Sequence, residues 1–212
     1  MPGSPVATDG PDSGRTLVIA CGALARELRV VLTSITGLDG ASGPVDVEYL
    51  PAPLHNRPEQ IPHRVEALLR ARGQRYDRVV VAYGDCGTGG MLDAVLARYG
   101  ATRLVGAHCY EFFAGASVFE ALCDAEPGTF YLTDFLARHF EALVWVGLGL
   151  DRHPELRDAY FGNYRRVVLL SQSDDPTLVR LGQAAADRLG LAFEHRPVGL
   201  GPFRDQIAGM IA

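Results

Sequence analysis

Three of the four cysteines follow apolar segments that predict β-strands: Cys21 after TLVIA, Cys86 after RVVVAYGD and Cys109 after RLVGAH. His55 follows a fourth segment of this kind, VDVEYLPAPL. In an open parallel α/β sheet, ligands bind beyond the carboxyl ends of the strands, so residues far apart in sequence can meet there. Thiolates and an imidazole at that edge predict a metal site with soft ligands.

The segment YGDCGTGG at residues 83–90 combines a cysteine and an aspartate with four glycines. Glycine permits positive φ and close approach of the backbone. We expect Cys86 to lie at the start of the following helix, where the positive end of the helix dipole lowers a thiol pKa. Cys86 is therefore predicted to be a thiolate, either a metal ligand or a nucleophile. A packing role in a tight turn is the alternative.

The same segment predicts backbone contacts to a cofactor or another anion at a helix N-terminus. It lacks both the G-x-G-x-x-G spacing and the lysine of nucleotide-binding motifs. The predicted cofactor contacts are Gly84, Gly87, Thr88 and Gly89. The predicted catalytic groups beside the metal are Asp85, Tyr83 and Arg57, the last held outward with His55 by a proline-rich loop.

Two adjacent residues, His108 and Cys109, end the fourth predicted strand of the first half. Neighbouring strand residues point to opposite faces, so a regular strand presents only one of them to the cleft. Cys109 is the predicted ligand, and His108 is held in reserve. Cys123 falls on a predicted helix and is interpreted as a packing residue.

Apolar runs alternate with amphipathic stretches along the whole chain, which predicts an α/β fold. The runs are nearly continuous, as in strands covered by helices on both faces. We therefore expect a doubly wound, mainly parallel sheet. The predicted strands are residues 16–21, 45–50, 78–84, 102–108, 129–132, 165–172 and 191–199, and the predicted helices are residues 23–35, 60–72, 90–99, 112–124, 134–146, 154–163, 176–189 and 202–211.

Residues 1–14 are polar and rich in Pro, Gly and Ser, and are interpreted as a flexible tail without the features of a signal peptide. Residues 15–212 form the single predicted domain, in which two pseudo-similar lobes would divide near residue 125. Four cysteines at low density indicate thiols in a reducing cytoplasm rather than disulfides.

Composition excludes several classes of function. The net charge is −5 and the pI about 5.7, which argues against nucleic acid as a partner. No apolar run approaches the ~18 residues of a membrane span. All 20 basic residues are Arg, so Schiff-base catalysis, a pyridoxal-phosphate anchor and a Walker A lysine are excluded. The apolar segment ALVWVGLGL is a candidate surface for a homo-oligomer.

Three interpretations of the cysteines stay open. The first is a catalytic metal centre that acts on a small molecule, with zinc favoured and iron or an iron–sulfur cluster as alternatives. The second is metal-free cysteine catalysis, racemase-like or by acyl transfer, in which Cys21 and His55 have no role. The third is a metal carrier or accessory protein without catalytic activity.

Four segments together resemble a known bacterial and archaeal family of unknown function, DUF1638. They are CGAL at 21–24, LHN-x-P at 54–58, YGDCGTG at 83–89 and HC at 108–109, and the resemblance covers about residues 16–200. It implies the same four ligands: Cys21, His55, Cys86 and Cys109. Family members often occur beside corrinoid-dependent methyltransferase components. The resemblance therefore implies one-carbon or methylamine metabolism and those components as partners.

Overall fold

The computed structural model describes residues 14–39 and 43–212, which form two parallel β-sheets covered by helices. The predicted α/β class with parallel strands is confirmed. The strands divide between two sheets, one from each half of the chain, and do not join in one continuous sheet. This division follows the two groups of apolar runs, each of which has its own buried core.

The first sheet has four strands in the order β2-β1-β3-β4. Its strands are β1 (Thr16–Cys21), β2 (Val45–Leu50), β3 (Arg78–Ala82) and β4 (Thr102–Arg103). Cys21 pairs with Leu50 and Ala20 with Ala82, so the central strand ends level with its neighbours. All six residues of β1 are buried, which explains the uninterrupted apolar run.

Five helices belong to this half of the chain: α1 (Ala25–Asp39), α2 (Ile61–Arg72), α3 (Met91–Tyr99), α4 (Cys109–Ala114) and α5 (Ala116–Ala125). Short 3₁₀ turns at Gly22–Leu24, Ala52–Asn56 and Pro58–Gln60 connect the first two strands to their helices, and another at Gly73–Arg75 follows α2.

The second sheet has three strands in the order β5-β6-β7. They are β5 (Thr129–Leu132), β6 (Arg166–Ser171) and β7 (Ala192–Pro197). The connecting helices are α6 (Asp134–Arg138), α7 (Leu156–Phe161) and α8 (Thr177–Leu189), with a π-helical turn at Glu141–Trp145.

The last helix, α9 (Gly201–Ile211), returns to the first sheet. Its apolar face, with Phe203, Ile207 and Ile211, is buried in the core of the first lobe. The Phe203 ring lies 5.6 Å from Phe112 and 5.1 Å from Phe113, in a cluster of aromatic contacts. The end of the chain therefore joins the two lobes.

Three predicted elements differ from the observed ones. The fourth strand stops at Arg103, because residues 104–108 leave the ladder and pair irregularly with the loop after β3. The helix predicted at 112–124 is two helices separated by Gly115, whose φ of 81° interrupts the helical path. The helix predicted at 134–146 ends at Arg138, and the π-helical turn follows it.

No helix among residues 14–39 and 43–212 has both the length and the apolar character to cross a bilayer.

Candidate functional site

Cys21 and His55 meet at the carboxyl end of the central strand. Cys21 is the last residue of β1 and is buried. Its Sγ lies 3.6 Å from Nδ1 of His55 and accepts a hydrogen bond from the Ala23 amide at 3.3 Å. The same Nδ1 lies 3.1 Å from the carbonyl oxygen of Ala52. When Nδ1 carries the proton and donates it to this carbonyl, Nε2 has a free lone pair that can bind a metal ion.

Gly22 permits this approach of the two segments. A Cβ at Gly22 would lie 2.9 Å from the carbonyl oxygen of Leu50 and 3.4 Å from the amide of Ala52. Any larger residue would push the turn after β1 away from the loop that carries His55. The pairing of Cys21 with His55 therefore depends on a glycine between two backbones.

Cys86 occupies a tight turn from Asp85 to Thr88. The Thr88 amide donates to the Asp85 carbonyl at 3.0 Å, and the two central residues, Cys86 and Gly87, have φ of 51° and 81°. Positive φ at both central positions is the pattern of a type I′ turn. Cys86 is the only non-glycine residue with positive φ in the described part of the chain. Such a conformation costs about 1 kcal/mol or more and is found preferentially at functional sites.

The Cys86 turn is fastened to the segment that precedes Cys109. The amide of Asp85 donates to the Gly106 carbonyl at 3.0 Å, and that of Cys86 donates to the Ala107 carbonyl at 2.8 Å. A Cβ on Gly84 would lie 3.0 Å from the Gly106 carbonyl oxygen. These contacts hold the loops of Cys86 and Cys109 side by side.

Asp85 organises the glycine-rich loop. Its carboxylate accepts hydrogen bonds from the Thr88 hydroxyl at 2.8 Å and from the amides of Gly89 and Gly90 at 3.1 and 2.9 Å. The Gly90 amide is the largest cause that lowers the pKa of this carboxyl. Of the amides expected to bind an anion, that of Gly89 thus already faces a carboxylate of the chain itself, and that of Thr88 donates to the Asp85 carbonyl.

Cys109 is the first residue of α4, and His108 precedes the helix in an extended conformation. His108 is exposed, whereas Cys109 is partly buried and packs against the core of the first lobe. The prediction of Cys109 over His108 assumed a regular strand here, but β4 ends at Arg103, so the choice between the two ligands stays a prediction.

Burial makes all three thiols weak acids. It raises the pKa of Cys21 to about 12 and that of Cys86 to about 11, and it raises the pKa of Cys109 well above its usual value. Repulsion by Cys86 contributes to the shifts of both Cys21 and Cys109, so the three groups are electrostatic neighbours. The expected lowering of the Cys86 pKa by a helix terminus is wrong: α3 begins only at Met91, and burial dominates.

Tyr83 lies beneath this cluster. It is 1% exposed, and its hydroxyl interacts with the Cys21 thiol, although the two do not form a hydrogen bond of regular geometry. Its ring stacks on His55 at a centroid distance of 6.1 Å and an interplanar angle of 15°. Burial, followed by the charge of Cys21, raises the pKa of Tyr83. A bound group beside Cys21 would complete the hydrogen bonding of this buried hydroxyl.

The four predicted ligands gather in one region, but they do not form a closed metal cage. Within the described residues, no group of three or more His, Cys, Asp or Glu side chains could hold a metal ion as placed. Cys21 and His55 are in contact, and Cys86 and Cys109 lie nearby on adjoining loops. Arg57 is exposed on the loop after His55. The assignment of the metal ligands stays a prediction.

A cavity of about 220 Å³ lies beside the cluster, between the two lobes. The first lobe contributes Ala23, Ala52, His55, Asn56, Cys109 and Tyr110, and the second contributes a mainly apolar wall that includes Phe130, Phe135, Leu136, Leu143, Val144 and Leu148. Two predicted ligands therefore reach a space that could hold a small molecule. Asp85, Tyr83 and Arg57 do not line it.

The sequence reasoning did not identify the second-lobe wall or the polar residues Asn56, Tyr110 and Thr133. Asn56 and Tyr110 directly follow two predicted ligands, which is a signal that could have found them. Thr133 follows β5, at the strand end where ligands are expected. Its Oγ1 accepts a hydrogen bond from the Leu136 amide and so caps α6.

A family model described as "Protein of unknown function (DUF1638)" matches residues 49–207. The chain belongs to the DUF1638 family. The match covers His55, Cys86 and Cys109 and begins after Cys21. It also spans most of the second lobe, so the DUF1638 region includes both walls of the cavity. No curated protein and no solved structure matches the chain.

Proposed function

We propose that this protein is a metal-dependent enzyme that acts on a small molecule in the cavity between its lobes. The ligands would be Cys21, His55, Cys86 and Cys109, with His108 in reserve. Zinc is the favoured ion because it takes thiolate and imidazole ligands, and iron or an iron–sulfur cluster with a free site is the alternative. The four free cysteines fit the reducing cytoplasm that the sequence predicts.

One observation carries the proposal: Cys21 Sγ approaches the His55 ring, 3.6 Å from Nδ1, against the buried hydroxyl of Tyr83. Cys86 and Cys109 adjoin this pair on loops that are hydrogen-bonded to each other. Because the side chains do not form a closed cage, they would have to turn toward a common ion. A bound cation would also stabilise the thiolates that burial otherwise disfavours.

A metal ion in this place would supply a Lewis acid and would activate a bound water or thiol. The residues of the chain have separate tasks. The Ala52 carbonyl orients the His55 ring, the Tyr83 ring stacks on it, and the Asp85 carboxylate holds the Cys86 turn. The apolar second-lobe wall excludes water from one side of the cavity.

The cavity favours an enzyme over a metal carrier. A carrier needs an exposed site that exchanges its ion. His55 is exposed here, but Cys21 is 2% exposed and a cavity adjoins His55 and Cys109. The family's association with corrinoid methyltransferase components supports a role in one-carbon or methylamine metabolism and makes those components the first partners to test.

Metal-free cysteine catalysis is the second candidate. Its specific support is the positive φ of Cys86, a strained position for a potential nucleophile or base, beside the loop that carries Cys109. Against it, the raised pKa values leave both thiols protonated near neutral pH, and a thiol is a poor nucleophile.

Metal analysis of the full chain, purified without oxygen, tests the proposal. We expect about one equivalent of zinc or iron per chain, lost in Cys86→Ser. The matched control is Cys123→Ser, whose sulfur lies 3.5 Å from the Tyr131 hydroxyl in another core cluster and should not affect metal content. A metal-free native chain with a reactive Cys86 would support the second candidate instead.

A further inference from the structure

The cavity between the lobes is chemically one-sided. Its wall in the second lobe is built from aromatic and aliphatic side chains, whereas the first lobe presents Asn56, Tyr110, Cys109 and His55. Among the described residues, neither a carboxylate nor a guanidinium lines it. In the absence of a bound metal ion, a charged ligand group would lose its hydration without gaining a counter-charge from the cavity, which opposes binding.

The volume limits the size of a ligand. A dry protein cavity of about 150 Å³ accommodates benzene. At about 220 Å³, this cavity has room for one ring with a short substituent, or a branched chain of similar bulk. Scaling from benzene gives about nine non-hydrogen atoms. A bicyclic ligand exceeds this volume, so part of it would remain outside the cavity, which is open to solvent on one side.

Two polar groups remain available to orient such a ligand. Neither the Asn56 amide nor the Tyr110 hydroxyl has a side-chain hydrogen bond within the described part of the chain. Both are beside proposed metal ligands, His55 and Cys109, so a polar head group placed here would lie next to the proposed reaction centre. The π-helical turn that supplies Leu143 and Val144 forms the opposite wall.

We infer that the substrate is an uncharged small molecule with an apolar body and one polar head group, the body lying against Leu136, Leu143 and Leu148. The inference rests on the proposed function in taking this cavity as the substrate site. It does not depend on the metal, because the apolar wall belongs to the second lobe and contains none of the proposed ligands.

Three probes of matched size test the inference: benzyl alcohol, benzoate and benzylamine. Each is titrated by ligand-observed NMR into the full-length Cys86→Ser chain, so that a bound metal ion does not supply the counter-charge that the cavity lacks. We expect benzyl alcohol to bind with a dissociation constant of about 1 mM or tighter. We expect the two charged probes to bind about ten-fold more weakly or worse. Equal or tighter binding of benzoate or benzylamine would overturn the inference, as would no binding of benzyl alcohol.

Variants locate the binding. Leu136→Trp should fill the cavity and abolish binding of benzyl alcohol, while Leu181→Trp, on the exposed side of α8, should leave it unchanged. Should Leu136→Trp fail to fold, Leu143→Ala provides the second test, because widening the wall should allow naphthalenemethanol to bind. Binding that neither cavity variant alters would place the probe elsewhere and overturn the inference.

Metal analysis of the native chain, together with the probe titration, separates this inference from the metal proposal. Probe binding without any metal in the native chain would overturn the metal centre and support the cavity assignment. Metal in the native chain without binding of any neutral probe would support the metal centre and overturn the cavity assignment.

Discussion

The strand ends of the two lobes carry opposite kinds of polar chemistry. In the first lobe, Cys21 and Tyr83 are buried, Cys86 and Cys109 are partly buried, and burial raises the pKa of all three thiols. In the second lobe, Asp134 and Gln172 follow β5 and β6 and satisfy each other. The backbone N–H of Gln172 donates to the Asp134 carboxylate at 2.8 Å, and the backbone N–H of Asp134 donates to Gln172 Oε1 at 2.8 Å.

This difference indicates a division of roles between similar architectures. Closed pairs of donors and acceptors rigidify a scaffold, and the second lobe uses them to hold the apolar wall. Polar groups left unpaired cost free energy and persist where a ligand or reaction needs them. The first lobe has the reactive strand ends, and the second lobe has the supporting ones.

The largest effect expected from this comparison is on stability. Asp134→Ala removes the acceptor for the Gln172 amide and the Ser173 hydroxyl in a site that is 1% exposed, so we expect a loss of about 3 kcal/mol in the free energy of unfolding. Asp85→Ala removes a comparable set of bonds in a more solvated loop and should cost only about 1 kcal/mol.

Urea unfolding of both variants measures these losses, and the metal content provides the second readout. Asp85→Ala should reduce metal binding because it loosens the Cys86 turn, whereas the folded fraction of Asp134→Ala should retain its metal. A larger loss of stability for Asp85→Ala than for Asp134→Ala would contradict the assignment of roles to the lobes.

A smaller effect concerns the backbone within the reactive lobe. Cys86 has positive φ, so Cys86→Gly should be more stable than Cys86→Ala by about 1 kcal/mol. Cys109 begins a helix, where Ala is favoured, so Cys109→Ala should be more stable than Cys109→Gly by up to about 1 kcal/mol. Thermal unfolding of the four variants measures this reversal of sign. If the Ala variant were more stable than the Gly variant at both positions, Cys86 would not be strained.

The smallest effect concerns a carboxyl close to both lobes. Burial is the largest cause that raises the pKa of Glu27 on α1. The next largest raising cause is the charge of Asp134 on α6. A carboxyl with a raised pKa in the folded state is penalised when ionised, so stability falls as the pH rises above 4.5 through the folded pKa. Glu27→Gln should remove this pH dependence of the free energy of unfolding. The variant should therefore become more stable relative to the native chain as the pH rises.

Glu66→Gln is the control with the opposite sign. Although burial opposes the change, the charges of Arg70 and Arg98 lower the pKa of Glu66 overall. The native Glu66 therefore contributes stability above pH 4.5 that is lost as the pH falls through the folded pKa. Urea unfolding between pH 4 and 8 compares the variants; a Glu27→Gln protein that loses stability relative to the native chain with rising pH would contradict the burial argument.

Regular elements were largely predictable from the sequence. The predicted bounds of β1, β2 and β5 agree with the structure, because buried parallel strands are continuous apolar runs bounded by turn residues. The fourth strand was predicted too long, since RLVGAH has the apolar character of a strand but follows the loop after β3 instead of a ladder. Local composition does not reveal whether this segment pairs with β3 in a regular ladder or irregularly with the loop after β3.

The candidate site was predictable in part. Cys21 is the last residue of β1, as the apolar run predicted, whereas Cys86 lies in the loop after β3 and Cys109 begins α4. Whether the three share an ion stays a prediction. The left-handed conformation of Cys86 could not be predicted, because a non-glycine residue at positive φ is tolerated only where surrounding contacts impose it. The raised thiol pKa values likewise depend on burial, which sequence position does not reveal.

The sequence by itself determined the α/β class, the order of most elements, the absence of lysine chemistry and the residues with soft donor atoms. Only the tertiary structure decided that α9 returns to the first sheet, that an apolar wall from the second lobe faces His55 and Cys109, and that the Tyr83 hydroxyl is buried against the Cys21 thiol. Periodicity and composition indicate which side chains of a segment face the core of its own lobe. Contacts between the lobes depend on how the two sheets pack together.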